Sequence, residues 1–387
     1  MTRSGPEGVA TAAAQAASAI RLAVVTNIPA PYRVPVFNIL AKQAGIDLHV
    51  IYAARREPNR AWDLPEFSHS HSFLREKFFT GRRSFIHNNL DVLSALRAYD
   101  PQVVVTTGFS PTFLYAFAYA RLFGRRHVVM TDGTLASEAS QSFGHSLLRR
   151  IVLSRSATFV VASQGGRALL KKYGVAEEKI QFSPLCANTS VNWDKATPCS
   201  PDLDMLFSGR LIDIKNPLFA LKVARGVANR LGRRVSLGIL GRGPLEDELK
   251  MQAKKIAAEV EVRLAGDVLQ ADLPSWFSSA RIFLFPTSWD PWGVVANEAC
   301  MAGVPVIVSP HAGVAGELIC DGTNGYVRPL EVPMWIDAAV ALLSDSGLHQ
   351  RFAARARLQV RGYTFEAAAK GIANASRMAL RDATPAP

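Results

Sequence analysis

The sequence predicts an α/β protein with two successive domains, each built around a doubly wound parallel sheet. A chain of 387 residues is too long for one ordinary hydrophobic core. Short runs rich in Val, Ile, Leu and Phe alternate with helical segments over residues 21–184 and again over residues 204–309. Such runs, separated by helices, are typical of parallel strands that are covered on both faces.

The first alternation contains six predicted strands and four predicted helices. It opens with the apolar run RLAVVTN, and a polar, irregular stretch at residues 54–85 interrupts it. The predicted strands are residues 21–27, 46–53, 102–108, 127–133, 157–163 and 179–184, and the predicted helices are residues 35–43, 91–99, 112–124 and 165–174.

The second alternation repeats the same pattern after a polar stretch with little periodicity. Its predicted strands are residues 204–211, 234–243, 260–268, 281–288 and 304–309, and its predicted helices are residues 217–232, 244–257, 273–280 and 294–303. We therefore expect a disordered leader at 1–20, a first domain at 21–190, a linker at 191–202, a second domain at 203–360 and a closing segment at 361–387. Ligands bind at the carboxyl ends of strands in such sheets, so two facing domains would form a cleft lined by strand-to-helix loops.

The composition is that of a globular protein, with 49% apolar and 20% charged residues. The longest apolar run, at residues 102–120, is interrupted by threonines, a glycine and a proline, which argues against a membrane span. The Ala-rich residues 1–20 lack the hydrophobic centre of a signal peptide, which favours a cytoplasmic location. We expect reduced, mostly buried thiols at the cysteines, which form no C-x-x-C pair and lie at Cys186, Cys199, Cys300 and Cys320.

The net charge of +12 comes partly from basic clusters in the first half of the chain. A solvated surface, an anionic membrane surface and an anionic substrate all remain open as explanations. Nucleic acid is not expected as a partner, because no aromatic–basic RNA-binding signature or helix-turn-helix pattern is present. The clusters lie at residues 55–56, 81–83, 124–126, 149–150 and 171–172.

Two loops of the second half are candidates for binding a nucleotide. In SGRLIDIKNP, Arg210 and Lys215 follow a strand, where they suit phosphate oxygens, and Gly209 permits close backbone approach. The alternative is a basic loop with solvated side chains. In LGILGRGP, the glycines at 241 and 243 form an incomplete dinucleotide fingerprint that could let a base or ribose approach, whereas the acids at 246 and 247 complement a helix dipole.

The segment SWDPWGVVANEA places two acids eight residues apart across a Pro-Trp-Gly bend. If a helix begins near Gly293, Asp290 lies in the loop before it and Glu298 lies about one turn inside it. The amides of Val294 and Val295 would then attract an anion, and Glu298 could accept hydrogen bonds from two neighbouring hydroxyls. The alternative is that the carboxylate only complements the helix dipole.

Strand-end loops of the first half supply further candidates. TNIPAPYRVPVF carries Arg33 near a helix start, GFSP follows the third predicted strand, and MTDGT contains Asp132. Asp132 is a candidate for accepting a proton or a sugar hydroxyl, although Asp-Gly is also a common turn dipeptide. His69, His71 and His87 have no metal-ligand spacing, so no metal site is predicted.

From residue 203 to 330 the sequence resembles the retaining glycosyltransferases of family 4. The elements that carry the resemblance are FSGRLIDIKNP, LGILGRGP, the segment LAGDVLQADLPSWFSSARIFLFPTSWDPWG, NEACMAGVPVIVS and GELICDGTNGYVRP. Asp290 and Glu298 correspond to the family's E-x7-E signature. The resemblance implies the GT-B fold, in which two Rossmann-like domains face each other, with residues 361–380 as a closing helix that crosses back to the first domain.

The resemblance also implies roles for the candidate residues. Arg210 and Lys215 would hold the diphosphate of a nucleotide-sugar donor and make a metal unnecessary, and Glu298 would bind the ribose. Asp290 and the amides near Gly293 would face the sugar and phosphate, and retention would follow from same-face attack assisted by the leaving phosphate. The residues expected to border the donor are Gly209, Gly241, Gly243, Asp267, Val268, Gly293, Val294 and Val295, and those implied in catalysis are Asp132, Arg210, Lys215 and Asp290.

The first half then becomes the acceptor domain, with acceptor contacts expected from Pro31, Tyr32, Arg33, Phe109 and Asp132. This chain departs from the family pattern at its first acid, which is Asp rather than the commoner Glu, and in carrying NIPAPYR where many members have a Gly-Gly loop. The predicted activity is transfer of a sugar to a glycan, glycolipid or small-molecule acceptor, in the cytoplasm and at the inner membrane face. A nucleotide-sugar epimerase and a non-catalytic nucleotide- or glycan-binding protein are the alternatives.

Overall fold

The computed structural model describes residues 19–58, 66–80, 85–138, 143–188, 193 and 203–381. The chain forms two compact units, and the division between them falls at Leu185 and Phe365. Unit 1 contains the residues before Leu185 together with those from Phe365 onward, and unit 2 is Leu185–Thr364. The predicted leader and linker lie outside the described residues, apart from positions 19, 20 and 193.

Unit 1 is built on a seven-stranded parallel sheet in the order β3-β2-β1-β6-β7-β8-β9, with a separate antiparallel pair, β4-β5. Its strands are β1 (Ile20–Thr26), β2 (Ile46–Tyr52), β3 (Ser70–Phe73), β4 (Phe78–Thr80), β5 (Phe85–His87), β6 (Val103–Thr106), β7 (Arg126–Thr131), β8 (Thr158–Val161) and β9 (Ile180–Phe182). Its helices are α1 (Val34–Leu40), α2 (Val92–Tyr99), α3 (Pro111–Leu122), α4 (Leu135–Glu138), α5 (Phe143–Leu153) and α6 (Gln164–Lys172), followed by a 3-10 turn at Glu177–Lys179.

The six strands and four helices predicted for this half are all present, and the polar stretch at 54–85 contains additional strands. β3, SHSF, lies at the sheet edge with half-buried or exposed side chains, so it carries no apolar run that periodicity could detect. The short α4 and the amphipathic α5 were also not predicted.

The closing helix α13 (Phe365–Arg381) belongs to unit 1 and packs on α1, β8 and β9. The Thr158 hydroxyl at the start of β8 donates a hydrogen bond to the Ala375 carbonyl over 2.9 Å. The buried face of the helix is rich in alanine and includes Gly371. A Cβ atom at Gly371 would lie 1.7 Å from the Phe182 carbonyl oxygen, so glycine permits the close approach of α13 to β9.

Replacing Gly371 with alanine is expected to destabilise unit 1 by about 1–3 kcal/mol, because the added methyl group would push α13 away from β9. The matched control is Gly362→Ala, since a Cβ there meets nothing within 4 Å, and it should change stability by less than about 0.5 kcal/mol. Urea unfolding of both variants measures the difference. Equal stability of the two variants would show that α13 does not approach β9 as described.

Unit 2 is built on a six-stranded parallel sheet in the order β12-β11-β10-β13-β14-β15. Its strands are β10 (Leu203–Ser208), β11 (Val235–Leu240), β12 (Val260–Gly266), β13 (Ala280–Phe285), β14 (Val306–Val308) and β15 (Gly325–Val327). Its helices are α7 (Pro217–Leu231), α8 (Glu246–Lys255), α9 (Leu273–Ser278), α10 (Val294–Ala302), α11 (Val332–Ser344) and α12 (Ser346–Val360). The prediction omitted β15, α11 and α12.

The core of unit 2 lies between its sheet and helices α7, α11 and α12. Leu237, Ile239 and Ile282 on the strands pack with Trp335 of α11, which is fully buried. The Trp335 indole donates a hydrogen bond to the Pro329 carbonyl over 2.7 Å, which satisfies its one polar atom. These buried contacts support the sheet of unit 2 beneath the loops that follow its strands.

Of the four cysteines, Cys186 and Cys300 are buried free thiols and Cys320 is a half-buried one. Cys199 lies outside the described residues. None of the helices in the described ranges has both the length and the apolar composition needed to cross a bilayer.

Candidate active site

The loops after β10 and β13 of unit 2 are fastened to each other. These strands are neighbours in the sheet, so their carboxyl ends adjoin. The backbone N–H and the hydroxyl of Ser288 and the hydroxyl of Thr287 all donate to the Ile214 carbonyl, at 2.8, 3.1 and 3.0 Å. The Asn216 amide donates to the Pro286 carbonyl at 2.8 Å. The two loops therefore form one surface at the carboxyl edge of the sheet.

Lys215 and Asp290, both predicted as site residues, meet on this surface. The Lys215 ammonium lies 2.5 Å from an Asp290 carboxylate oxygen, and both side chains are mostly buried, with 16% and 17% exposure. The other oxygen of Asp290 accepts the Trp292 backbone N–H at 3.1 Å. The ammonium also lies 5.8 Å from the centroid of the Phe285 ring. An ammonium held by one carboxylate keeps donors available for a second anion.

The start of α10 is fixed by the side chains around it. Gly293 has a φ of +107°, and a Cβ there would lie 2.3 Å from the Phe285 ring, so only glycine fits. The buried Trp292 indole donates to the Asn297 side chain at 2.9 Å and stacks on Tyr363. These contacts hold the free amides of Val294 and Val295 at the carboxyl edge of the sheet, as an anion site at a helix N-terminus requires.

Glu298 lies on α10, about one turn past its start, and is only 6% exposed. Within the described part of the chain, no group forms a hydrogen bond with its carboxyl group. Burial raises the pKa of Glu298 to about 8. The carboxyl group is therefore largely protonated at neutral pH until a ligand supplies hydrogen-bond donors that favour its charged form.

The glycines after β10 and β11 bring two backbone loops together. A Cβ at Gly241, whose φ is +115°, would lie 2.1 Å from the Gly209 carbonyl oxygen, and a Cβ at Gly243 would lie 2.4 Å from that of Leu211. The structure thus gives Gly241 and Gly243 a packing role that the sequence did not suggest. Arg210, between these contacts, is exposed.

The remaining second-half candidates lie around the next strand end. Asp267 and Val268 follow β12, and the Arg242 guanidinium lies 3.9 Å from Asp267. Arg242 also lies 3.6 Å from Glu246, which pairs with Lys250 along α8, as expected for an acid that complements its own helix.

Unit 1 contains a cavity of about 140 Å³ at the carboxyl ends of its strands. Of the predicted acceptor residues, Tyr32, Arg33 and Asp132 line this cavity. Pro31 and Phe109 do not, and the Phe109 ring instead packs under the Arg149 guanidinium at 4.7 Å. The lining residues are Thr26, Asn27, Ile28, Ala30, Tyr32, Arg33, Phe37, Glu57, Thr107, Met130 and Asp132.

Two side-chain pairs hold the carboxylates of this cavity. The buried Arg33 guanidinium lies 2.5 Å from Asp132, which is 39% exposed. The Glu57 carboxylate, which is 12% exposed, lies 3.0 Å from the Nε2 of the fully buried His87. Sequence reasoning missed Glu57, because it lies in the irregular stretch and its partner is 30 positions away. Only the three-dimensional structure identifies this pair.

No group of three or more His, Cys, Asp or Glu side chains within the described ranges is arranged to hold a metal ion. The histidine of β2 and the one that directly precedes β3 are instead engaged with neighbouring hydroxyl groups and aromatic rings. His49 bonds to Ser70 and Ser72, and His69 bonds to the Tyr52 hydroxyl.

Two family descriptions match the two halves of the chain. Glycosyl transferases group 1 matches residues 194–359, and Glycosyltransferase Family 4 matches residues 40–191. The chain resembles the GT-B glycosyltransferases of family 4. These matches confirm the resemblance that the motifs of residues 203–330 predicted. The first half of this GT-B chain, as we call the protein below, is matched as well.

Individual relatives agree with this family. A D-inositol 3-phosphate glycosyltransferase of Xylanimonas cellulosilytica is 27% identical to the GT-B chain over 236 residues, which are 57% of this chain and 56% of the relative. An alpha-D-kanosaminyltransferase of Streptomyces kanamyceticus is 28% identical over 175 residues, 45% of each chain. The GT-B chain therefore matches about half the length of these curated relatives.

Solved structures show the fold over nearly the whole chain. Anabaena HepE in complex with UDP superposes with a TM-score of 0.71 at 14% identity, covering 92% of the GT-B chain and 99% of HepE. WaaG, described as a glycosyltransferase involved in lipopolysaccharide biosynthesis, superposes with a TM-score of 0.64 at 16% identity, covering 91% and 98%. At this level of identity the likeness establishes the fold.

Proposed function

We propose that the chain is a retaining glycosyltransferase that moves a sugar from a nucleotide-diphosphate sugar to a glycan, glycolipid or small-molecule acceptor. The observation that carries the proposal is Glu298, a buried carboxyl group without a hydrogen-bond partner in the described residues, on the helix that follows the Lys215–Asp290 pair. A buried acid of this kind suits a ligand with hydroxyl groups, and a ribose offers two neighbouring ones.

The proposed mechanism assigns the diphosphate to Lys215, Arg210 and the amides at the start of α10. Positive charge at this point stabilises the negative charge that develops on the leaving diphosphate. The Lys215 ammonium would bridge Asp290 and the phosphate oxygens, and Asp290 would hold a sugar hydroxyl with its free lone pairs. Because the two cations supply the charge, the reaction is proposed to proceed without a metal.

Retention of configuration is proposed to follow from attack on the face that the diphosphate leaves. The acceptor hydroxyl forms the new C–O bond as the anomeric C–O bond to phosphate breaks, and the hydroxyl proton passes to the departing phosphate oxygen. The protein residues position the reactants and stabilise charge, which accounts for most of the rate enhancement in phosphate-leaving reactions of this kind.

Two other functions make different predictions. A nucleotide-sugar epimerase would consume its donor without an acceptor, whereas a transferase needs one. A non-catalytic binding protein would keep its function after Glu298→Ala, whereas this proposal expects turnover to fall by about 100-fold or more.

A thermal-shift panel of UDP-, GDP-, ADP- and TDP-sugars tests the donor assignment. UDP-sugars come first, because the HepE structure was solved with UDP. A true donor at saturation should stabilise the protein by about 2–4 kcal/mol, and the same shift should persist in EDTA. No shift with any member of the panel would overturn the donor assignment, and a shift abolished by EDTA would overturn the metal-independent form of it.

An anionic membrane surface is proposed as a further partner, on the basis of α5. Phe143, Leu147 and Ile151 lie four residues apart on this helix and are 85%, 48% and 39% exposed. Arg150 and Arg155 are exposed beside them, and residues 143–176 contain no acidic side chain. An exposed apolar stripe flanked by arginines suits the headgroup region of an anionic bilayer.

The double substitution Phe143→Ser with Leu147→Ser is expected to weaken binding to phosphatidylglycerol vesicles by about 10-fold in a flotation assay, because it removes two apolar anchors. Leu358→Ser, at an exposed leucine of unit 2, is the control and should leave binding unchanged. Equal flotation of all variants, or equal binding to neutral phosphatidylcholine vesicles, would contradict an electrostatic membrane contact through α5.

A further inference from the structure

The cavity of unit 1 has an ionic character that restricts what it can bind. Of its ionisable lining residues, two are acids, Glu57 and Asp132, and one is a base, Arg33, with Tyr32 as a neutral phenol. The lining contains one guanidinium and two carboxylates. The lining is therefore not net positive, whether or not His87 behind Glu57 carries a proton.

The single cation of the lining is already engaged. One terminal nitrogen of Arg33 contacts Asp132 at 2.5 Å, and the other donates to the Ser183 hydroxyl at 3.5 Å. The guanidinium is 9% exposed, so a phosphate would have to displace Asp132 to reach it. Among the lining residues that the structure describes, none offers a second cation for a phosphate or a carboxylate. An anionic ligand would thus meet two carboxylates and a guanidinium that is already paired with one of them.

The two carboxylates of the lining, Glu57 and Asp132, are hydrogen-bond acceptors. The Thr107 hydroxyl donates to the Thr26 hydroxyl, so Thr107 is left with acceptor capacity only, whereas Thr26 keeps its own proton. Together with Glu57 and Asp132, Thr107 suits a ligand that donates several hydrogen bonds. Phe37, with the other apolar lining residues, offers a surface for the carbon face of a ring.

We propose that this cavity binds an uncharged, polyhydroxylated acceptor, such as an unphosphorylated sugar or cyclitol, whose hydroxyls donate to Glu57 and Asp132. The volume of about 140 Å³ is smaller than the roughly 300–1,000 Å³ of pockets for drug-sized ligands, so one ring of the acceptor enters it. His87 holds the Glu57 carboxylate in place and acts as a positioning residue. The inference rests on the proposed glycosyltransferase function and specifies its acceptor.

The test compares the kcat/KM of an uncharged acceptor with that of its phosphorylated counterpart. It uses the full chain and a donor whose binding has first been established by thermal shift. The pairs are myo-inositol with inositol 3-phosphate, and methyl glucoside with its 6-phosphate. The uncharged member of at least one pair should be used with a kcat/KM about 10-fold or more higher than its phosphate. Equal or better use of the phosphate would overturn the inference while leaving the transferase assignment intact.

A substitution at Glu57 tests whether this residue binds the acceptor. Glu57→Gln should raise the KM for the uncharged acceptor about 10-fold and leave the KM for the donor unchanged, because the substitution removes a charged hydrogen-bond acceptor from the acceptor cavity only. Glu66→Gln, at an exposed acid of the same region, should change neither. An unchanged acceptor KM in Glu57→Gln would overturn the role of Glu57. Failure of the wild-type chain to bind any nucleotide sugar would instead count against the proposed function itself.

Discussion

Replacing Lys215 with alanine is expected to lower kcat/KM for sugar transfer by about 100-fold or more, with the fold intact. The reason is that the ammonium, held 2.5 Å from Asp290, is proposed to neutralise the leaving diphosphate. Without it, Asp290 would also repel the phosphates. The measurement is release of nucleoside diphosphate under saturating acceptor, together with thermal unfolding of the variant to verify that it folds.

Two companion variants make this result specific. Lys222→Ala removes an exposed lysine from α7, close in sequence to Lys215, and should leave turnover unchanged. Lys215→Arg keeps the charge but changes its shape, so it should recover part of the activity. Wild-type turnover in Lys215→Ala would show that this ammonium does not stabilise the leaving group.

Replacing Glu298 with glutamine is expected to weaken donor binding by about 10-fold or more, because the amide cannot accept two charge-assisted hydrogen bonds from a ribose. The same substitution should stabilise the unliganded protein at alkaline pH. The pKa of Glu298 is raised from its usual value near 4.5 to about 8 by burial. In the folded protein the group thus keeps a proton between pH 4.5 and 8 that it loses in the unfolded chain.

The sign of the pH effect follows from this proton. The folded state binds more protons than the unfolded state in this window. The favourable contribution of protonated Glu298 to the free energy of unfolding is therefore complete below about pH 4.5 and is lost as pH rises through about 8. Glu298→Gln removes this dependence, so its Tm should exceed that of the wild type by roughly 2–6 °C at pH 9 and match it closely at pH 4.5.

Donor binding gives an independent measurement of the protonation state of Glu298. Ribose hydroxyls should favour the charged carboxylate, so binding at pH 7 should release a proton, and affinity should rise between pH 6 and 8. Calorimetry in buffers of different ionisation enthalpy detects this proton release. Glu331→Gln, at an exposed acid of unit 2, is the control and should preserve it. A wild-type protein that releases no proton on binding would contradict the assignment of Glu298 to the ribose.

Sequence reasoning located the candidate donor loops because they depend on local order. A buried apolar run followed by a loop and a helix places Lys215 and Asp290 at strand ends, and parallel strands bring such ends to one edge. The direct contact between these two side chains could not be read from the sequence, since they lie 75 positions apart. The same holds for the buried Glu57–His87 pair, which no local pattern signals.

The roles of individual glycines show a second limit on what could be predicted from the sequence. The Gly241-Arg242-Gly243 turn suggested space for a nucleotide, whereas the structure uses both glycines to bring one backbone loop against another. The edge strand β3 was missed because half-buried polar residues carry no apolar periodicity. Features that depend on close packing, or on pairing between distant residues, could thus be identified only in the three-dimensional structure. Features that depend on periodicity could be predicted from the sequence.

Sugar transfer with retention of configuration can be followed in a single reaction mixture. The full chain is incubated with its stabilising nucleotide sugar and an uncharged acceptor, while proton NMR follows both the donor and the anomeric signal of the product. We expect donor consumption only when acceptor is present, and a product with the same anomeric configuration as the donor. Donor conversion without acceptor, or a product of inverted configuration, would contradict this expectation.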